Sequence, residues 1–411
     1  MSGHIALIAS LLALFTVSEL QAHSYEGQAH LQALSVQKPH DPDLFIVDNQ
    51  NIERATYREA GVLSYKKLVK FEYAFYLVGQ HLSGRDDLDH LGLLYSDPRH
   101  RSYKLDYYLQ NQELQDVYGI IDRFNLRVPI GEQRLTVGRA PIELSKSFIF
   151  RPNDIFAPAN YNNLDPYHKS GVDAVQLQGP LAPLGEWKLI AVAGYEQDRA
   201  AQMDFDGTFL PPSNRYNARQ SSILASYLNT FFEYSMQVTV GTYRDNYIVM
   251  GGSEGQLNDT VGLRIEGKQL ISRKDQTGQV SFVLGLDYRW SESLLLIGEF
   301  FVNGEGLDRI EDTEKVSSTP YQPLAQLGRQ YLGAGFTYDL TPTVKLRSIA
   351  QMNFTDSSSL VSASLAYSLS DKVDLNLGLL KGQGARTFEG QLRSEYGTYP
   401  QVVAFEALIR W

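Results

Sequence analysis

Between Gln279 and Trp411 the chain divides into short segments in which apolar and polar residues alternate. In the stretch 344–354, Val344, Leu346, Ala350, Met352 and Phe354 fall on one face, and Lys345, Arg347, Gln351 and Asn353 on the other. A period of two predicts an extended strand with one apolar and one wet face. The pattern recurs upstream, where Val69, Phe71, Tyr73, Phe75 and Leu77 alternate with Lys70, Glu72, Ala74 and Tyr76. Phe124, Leu126 and Val128 alternate with Arg123, Asn125 and Arg127; Pro129 to Glu132 turns the chain, and Leu135 and Val137 then alternate with Arg134 and Thr136. Further strands fit at 105–109, 171–178, 186–194, 219–228, 231–243, 246–252, 259–270, 279–290, 293–303, 328–339, 343–354, 359–369, 372–381 and 400–411.

This spacing predicts an all-β, transmembrane, antiparallel up-and-down β-barrel over residues 64–411, with about 16 strands (range 14–18). Short periplasmic turns would alternate with long extracellular loops at 196–216, 304–327 and 382–399. Tyr227, Tyr234, Tyr243, Tyr288, Trp290, Tyr338 and Tyr367 fall near predicted strand ends, where aromatic girdles would lie.

Two regions break the alternation. Residues 23–63 are polar and weakly periodic, and read as a periplasmic lead-in to the barrel. Residues 140–170 carry Pro141, Pro152, Pro158 and Pro166 among Phe148, Phe150 and Phe156. A long irregular segment inside a compact fold is either functional or disordered, and the aromatic content favours order. It is the candidate for a loop folded into the lumen as a constriction, with Phe148, Phe150, Arg151, Asp154 and Phe156 as its working residues; the alternative is an extracellular cap or surface loop.

Residues 1–22 have the form of a cleaved signal peptide, with an apolar core from Ile5 to Val17 and Ala22 at the cleavage position, although no Lys or Arg precedes the core. That core is too short to span a bilayer as a helix, and no longer apolar run follows it. A hydrophobic content of 43% resembles that of a soluble protein, but a membrane barrel needs only every second strand residue to be apolar. The formal charge of -10 argues against a nucleic-acid partner, and the absence of cysteine means that an exported chain must be stable without disulfides.

Charges on the polar strand faces are expected to line the lumen, because a Lys or Arg facing lipid at mid-depth costs about 2–4 kcal/mol. They include Lys70, Glu72, Lys104, Asp106, Arg123, Arg127, Arg134, Arg264, Glu266, Lys268, Asp287, Arg289, Glu299, Lys345, Arg347 and Asp374. Arg123, Arg127 and Arg134 share a hairpin face and would either form a basic strip that favours anionic solutes or pair with acidic neighbours and fill the lumen. No catalytic, metal or cofactor site is expected. The acidic groups at Asp204/Asp206 and Glu311/Asp312/Glu314 lack calcium-loop spacing. Among the histidines, His81, His90, His100 and His168 could serve a rim hydrolase, but no nucleophile-elbow motif accompanies them.

The last strand places Val403, Phe405, Ala407, Ile409 and Trp411 on one face and ends on an aromatic. It resembles the C-terminal assembly signal of Gram-negative outer-membrane proteins, with Phe405, Ile409 and Trp411 in the signal positions; that family usually ends in Phe. The overall plan, with the segments 138–142, 154–158 and 169–174, resembles porins and porin-like channels. The resemblance implies an outer-membrane location and passive diffusion of small hydrophilic solutes without a cofactor, and does not identify the solute. It implies contact with outer-membrane lipid, lipopolysaccharide and the assembly machinery, and leaves the subunit count open between monomer and homotrimer. The competing readings are a plugged barrel serving as an export component, adhesin or structural protein and, more remotely, a barrel hydrolase.

Overall fold

The computed structural model describes residues 22–37, 51–65, 68–82, 100–112, 115–157, 169–181, 183–199, 202–203, 209–210, 213–274, 276–310, 326–386, 392–399 and 401–411. In chain order the strands are β1 (Ala22–Gln37), β2 (Asn51–Tyr65), β3 (Val69–Leu82), β4 (Asp106–Gln112), β5 (Gln115–Ile130), β6 (Gln133–Ala140), β7 (Val172–Leu181) and β8 (Gly185–Val192). Four short strands follow, β9 (Tyr195–Arg199), β10 (Gln202–Met203), β11 (Phe209–Leu210) and β12 (Ser213–Tyr216). Then come β13 (Ser222–Phe231), β14 (Tyr234–Tyr243), β15 (Asn246–Gln256), β16 (Val261–Ser272), β17 (Gly278–Arg289) and β18 (Leu294–Val302). The chain ends with β19 (Gln330–Thr341), β20 (Val344–Asn353), β21 (Ser358–Ser370), β22 (Val373–Gln383) and β23 (Gln401–Arg410).

Eighteen of these strands close an antiparallel barrel. Each pairs with the next, and the seam closes where β1 pairs with β23, from Gln28↔Arg410 to Gln37↔Gln401. Closure removes the free edges that would otherwise expose backbone donors and acceptors. The strands β4 and β9–β12 stand outside the ring as loop hairpins; β4 pairs only with the upper part of β5. The strand count lies at the top of the expected range.

The outward face is apolar and exposed, including Leu126, Val175, Leu189, Val240, Val249, Leu284, Leu286, Leu332 and Leu377. Tyr288, Trp290, Tyr338 and Tyr367 also face outward at the short-turn end, as a girdle requires. Phe405, Ile409 and Trp411 lie on the outer face of β23. Tyr243 departs from the girdle expectation: it turns inward and donates its hydroxyl to the Ile155 carbonyl at 3.0 Å. The residues Ala22 and Trp411 share the short-turn end, where Gly27 and Trp411 exchange backbone hydrogen bonds.

The stretch 23–63 differs from expectation. It supplies β1 and β2, paired in register from Ser24↔Ser64 to Gln37↔Asn51, so the barrel begins about forty residues earlier than the lead-in reading held. The alternation was hidden because small residues, Gly27, Ala29, Ala33, Ala55 and Gly61, occupy its outward positions. Residues 105–109 belong mostly to the β4 hairpin and do not form a ring strand. The signal-peptide stretch up to residue 21 lies outside the described residues, as do His90, His168, Asp204/Asp206 and Glu311/Asp312/Glu314.

Candidate functional site

The inner face of the barrel is of two kinds. Over β7, β8, β13, β15 and β16 many inward positions are apolar where wet ones are expected: Val172, Ala174, Ile190, Val192, Leu224, Ile248, Met250 and Leu270 are all buried. What covers them is the segment between β6 and β7. Its residues Ile142, Leu144, Ile155, Phe156 and Ala157 pack into the same cluster, so this segment lies inside the barrel against that wall. Burying both apolar surfaces against each other removes them from the water-filled lumen.

Two carboxyl groups on the inner wall fasten the segment. Glu266 on β16 accepts from the Ser145 hydroxyl at 2.6 and 2.8 Å and from the backbone N–H groups of Lys146 and Ser147 at 2.6 and 3.2 Å. Glu299 on β18 accepts from the N–H groups of Phe148, Ile149 and Phe150 at 2.6, 2.9 and 2.8 Å. Six consecutive residues thus donate to two side chains, and five backbone donors that no sheet could satisfy are paired. A buried donor left unpaired costs about 1–3 kcal/mol, so the two carboxyls set where the segment can sit. Asn153 adds a bond to the Gly251 carbonyl at 3.0 Å.

Within the segment the expected working residues divide. Phe150 is fully buried against Phe301 and Tyr331, with ring centroids 5.2 and 5.7 Å away. Phe156 packs edge-on to His100 and Tyr243. Asp154 is buried beneath Lys169 and within 3.5 Å of Arg151, which also reaches Glu143 at 3.1 Å. Phe150, Phe156 and Asp154 are therefore anchors, not lining residues. Phe148 remains 41% exposed, with the Arg264 guanidinium 4.0 Å from its ring centre. Arg264 also donates to Glu254 and lies 3.3 Å from Asp287, while Lys146 bonds Glu254 at 2.7 Å. Burial pushes the Lys169 amine below its usual range, opposed by the facing Asp154.

The wall halfway round the ring, over β2, β3 and β5, is rich in arginine, with Arg54 and Arg58 themselves buried. Arg54 and Arg58 on β2 point inward, and the Arg58 guanidinium stands 5.5 Å from the centre of the Tyr76 ring. Glu72 on β3 receives Arg123 at 2.6 Å, Asn125 at 3.2 Å and Arg127. A cavity of about 440 Å³ opens here, lined in part by Gln28, Arg58, Glu72, Arg123 and Arg410. Above it, Arg139 donates to Asp173 at 2.7 Å and to the Ile121 carbonyl at 2.7 Å, and Arg101 bonds Asp122 at 3.2 Å. Arg139 lies opposite Asp173 in the β6–β7 ladder, and the preceding Gly138 takes a left-handed φ of +119°; a Cβ there would stand 2.3 Å from the Phe124 carbonyl oxygen.

Of the expected basic strip, Arg123 and Arg127 converge on one carboxyl, whereas Arg134 is exposed at the short-turn end of β6. Lys70 and Arg289 are likewise exposed near that rim, Arg347 follows on the inner face of β20, and Lys345 pairs with Asp339 at 3.2 Å. Arg54 and Arg58 were missed because they sit in the stretch read as a lead-in. Their signal was the alternation Arg54, Thr56, Arg58 against Ala55 and Tyr57. His100 is buried beneath the loops, with its ring 3.0 Å from Arg244.

No family model matches the sequence, and no curated protein matches it. Solved structures do resemble the fold. OccAB3 of Acinetobacter baumannii superposes with a TM-score of 0.57 at 10% identity, over 95% of this chain and 99% of that chain. OccK5 (OpdH) of Pseudomonas aeruginosa gives 0.56 at 8% identity, over 95% and 99%. OccD3 (OpdP) of the same organism gives 0.51 at 7% identity, over 95% and 92%. At such identities the likeness is one of fold, and that fold is the closed antiparallel barrel of outer-membrane porins.

Proposed function

We propose that this chain is an outer-membrane channel through which small hydrophilic solutes diffuse passively, with a preference for anions. The observation that carries the reading is the inward segment 141–157, held by Glu266 and Glu299 along one wall, with Arg58 of β2 and Arg123 of β5 lining a cavity on the other. The segment narrows the passage from one side. The opposite wall carries Arg58, Arg123 and Arg127 around the carboxyl of Glu72, with Asp122 within 4.0 Å of Arg123 and Arg54 further along β2, so that among the described residues there arginines outnumber carboxyls. A solute crossing there exchanges water contacts for guanidinium groups and no covalent step is required; selectivity follows from charge at a narrow point.

Purified, heat-modifiable protein inserted into planar bilayers should give discrete conductance steps, with a reversal potential on the anion side in a salt gradient. Folded protein that never conducts would remove the channel reading in favour of a plugged barrel. Conduction without anion preference would remove only the charge assignment.

A further inference from the structure

The seam where the last strand meets the first adds a titratable group to the arginine wall. His30 lies on the inward face of β1, opposite Arg58 of β2 on one side and Leu408 of β23 on the other. Its neighbours fix that parity: Leu31 is exposed on the outer face, and Gln32 is buried. Arg58, opposite His30, and Gln28, two residues along, both line the cavity on this wall. Gln32 pairs with Glu406 in the β1–β23 ladder, so His30 and Glu406 are diagonal neighbours across the seam. The His30 Nε2 stands 3.6 Å from a Glu406 carboxylate oxygen, with the imidazole side chain only 14% exposed. Among ring-strand histidines with described side chains, His30 alone faces the lumen; His81 lies on the outer face of β3.

The buried Glu406 carboxylate is otherwise held by neutral groups. The Gln32 amide donates to one oxygen at 2.5 Å, and the Asn376 amide of β22 to the other at 3.2 Å. Amides orient a carboxylate without cancelling its charge. The remaining charged groups that face His30 lie on the strands beside it. On β2, Arg58 opposes a positive imidazole. On β23, Arg410 is engaged by Asp374 of β22 at 2.6 Å. On β3, Glu72 is engaged by Arg123 and Arg127 of β5. Among the described residues, Glu406 is therefore the carboxylate placed to answer a proton on His30.

Histidine is the side chain whose charge ordinarily changes between about pH 5 and 8, a range in which ordinary carboxylates stay ionised and arginine stays charged. With a neutral imidazole, His30 and Glu406 together contribute one negative charge to the wall. With a protonated one, the pair is neutral. We infer that His30 is a specificity-determining residue of the channel, the proton-dependent member of the arginine wall, and that the passage prefers anions more strongly in acidic than in alkaline medium. This inference rests on the channel reading above and adds a variable to it. A pair so little exposed is screened by salt less than a charge at the rim, so its step in charge acts on solutes in the passage.

Reversal potentials in a potassium chloride gradient, measured at about pH 5.5 and about pH 8, test the assignment. The anion-to-cation permeability ratio of the native chain should rise by about 1.5- to 2-fold from the higher to the lower pH, and His30→Gln should remove most of that rise. Groups elsewhere that change charge in this range remain in His30→Gln, so the comparison isolates one imidazole. Glu406→Gln should raise the ratio at the higher pH by a similar factor, because it deletes the charge that His30 would otherwise offset. Heat-modifiability of each variant separates a lost titration from misfolding, and His30→Asn replaces His30→Gln if the latter does not fold. An unchanged ratio in the native chain, or a rise of the same size in the folded His30 variant, would overturn the proposal. In detergent-folded protein, the imidazole resonance that disappears in His30→Gln should move between the two pH values, and a fixed resonance would overturn it too. Folded protein that never conducts removes the channel and this role together; a resonance that still titrates then assigns the failure to the channel.

Discussion

The two walls of the lumen are built from the same kind of strand yet do opposite things. On β7, β8, β13, β15 and β16 many inward positions are apolar and buried because a segment of the chain itself lies on them. On β2, β3 and β5 the inward positions carry arginine paired with carboxylate. The covered wall is fixed by a few strong constraints: two carboxyls that accept from residues 145–150, and an apolar layer behind them. The arginine wall is held by charge pairing. On the proposed reading one wall sets the size of the passage and the other its charge, so the two properties should be separable by mutation.

The largest effect should come from releasing the covered wall. Glu266→Ala with Glu299→Ala leaves five backbone N–H groups without their acceptors, at about 1–3 kcal/mol for each that finds no water. That is comparable with what burial of the segment's apolar side chains contributes, so the segment should loosen from the wall. Single-channel conductance should change by about two-fold or more, with increased noise as the segment moves. Unchanged conductance and noise in the folded double variant would mean that the apolar layer alone positions the segment. Either single variant should give a smaller effect of the same kind.

The arginine wall should respond in selectivity and little in conductance. Arg54→Ala with Arg58→Ala removes two positive charges from that wall, and the anion-to-cation permeability ratio should fall by about two- to five-fold. Arg134→Ala, at the exposed rim, should have almost no effect because water and salt screen it. Glu72→Gln should act in the opposite sense to the β2 pair and raise anion preference, since it frees Arg123 and Arg127. If Arg134→Ala matched the β2 pair, the selective zone would lie at the rim and not beside the inward segment.

How much of this was legible in the sequence depended on which face a residue used. Strands with large apolar residues outward, such as 344–354, declared themselves by period two alone. β1 and β2 did not, because glycine and alanine on their outer faces flatten the contrast that periodicity needs. That cost the reading two ring strands and with them Arg54 and Arg58. The segment 140–170 was legible as an irregular, aromatic, ordered loop, but not its partners: Glu266 and Glu299 lie more than a hundred residues away and look like any other inward charge. Nor could local pattern tell that Ile190, Leu224 and Ile248 face inward beneath that segment. Strand parity there was consistent with a wet wall, and only a long-range contact made it dry.

The smallest expected effect concerns the far end of the covered wall, where a second loop joins the first. Tyr396, from the loop between β22 and β23, packs in the same cluster as Ile149 and Phe150. Beside it, Glu395 accepts from the Tyr331 hydroxyl at 2.6 Å and the Asn353 amide at 2.8 Å. Burial pushes the Glu395 carboxyl up to about 8, with Asp356 adding to the rise and the donated hydrogen bonds opposing it. The undocked loop would titrate near an ordinary glutamate, at about 4.3. Between these values the docked form holds one more proton than the undocked form, so docking weakens as pH rises and levels off above about 8. The opening equilibrium can shift by at most about ten-fold per pH unit in that window. Amide exchange over residues 392–399 in the folded protein, corrected for intrinsic rates, should therefore quicken from pH 5 to pH 8, and Glu395→Gln should flatten the dependence. Since Tyr396 belongs to the same core cluster as Ile149 and Phe150 of the inward segment, a small rise in channel noise over the same pH range is expected from the native chain and not from the variant. If exchange quickened while noise stayed constant, the two loops would share a core without sharing a motion, and the covered wall would rest on its two carboxyls alone.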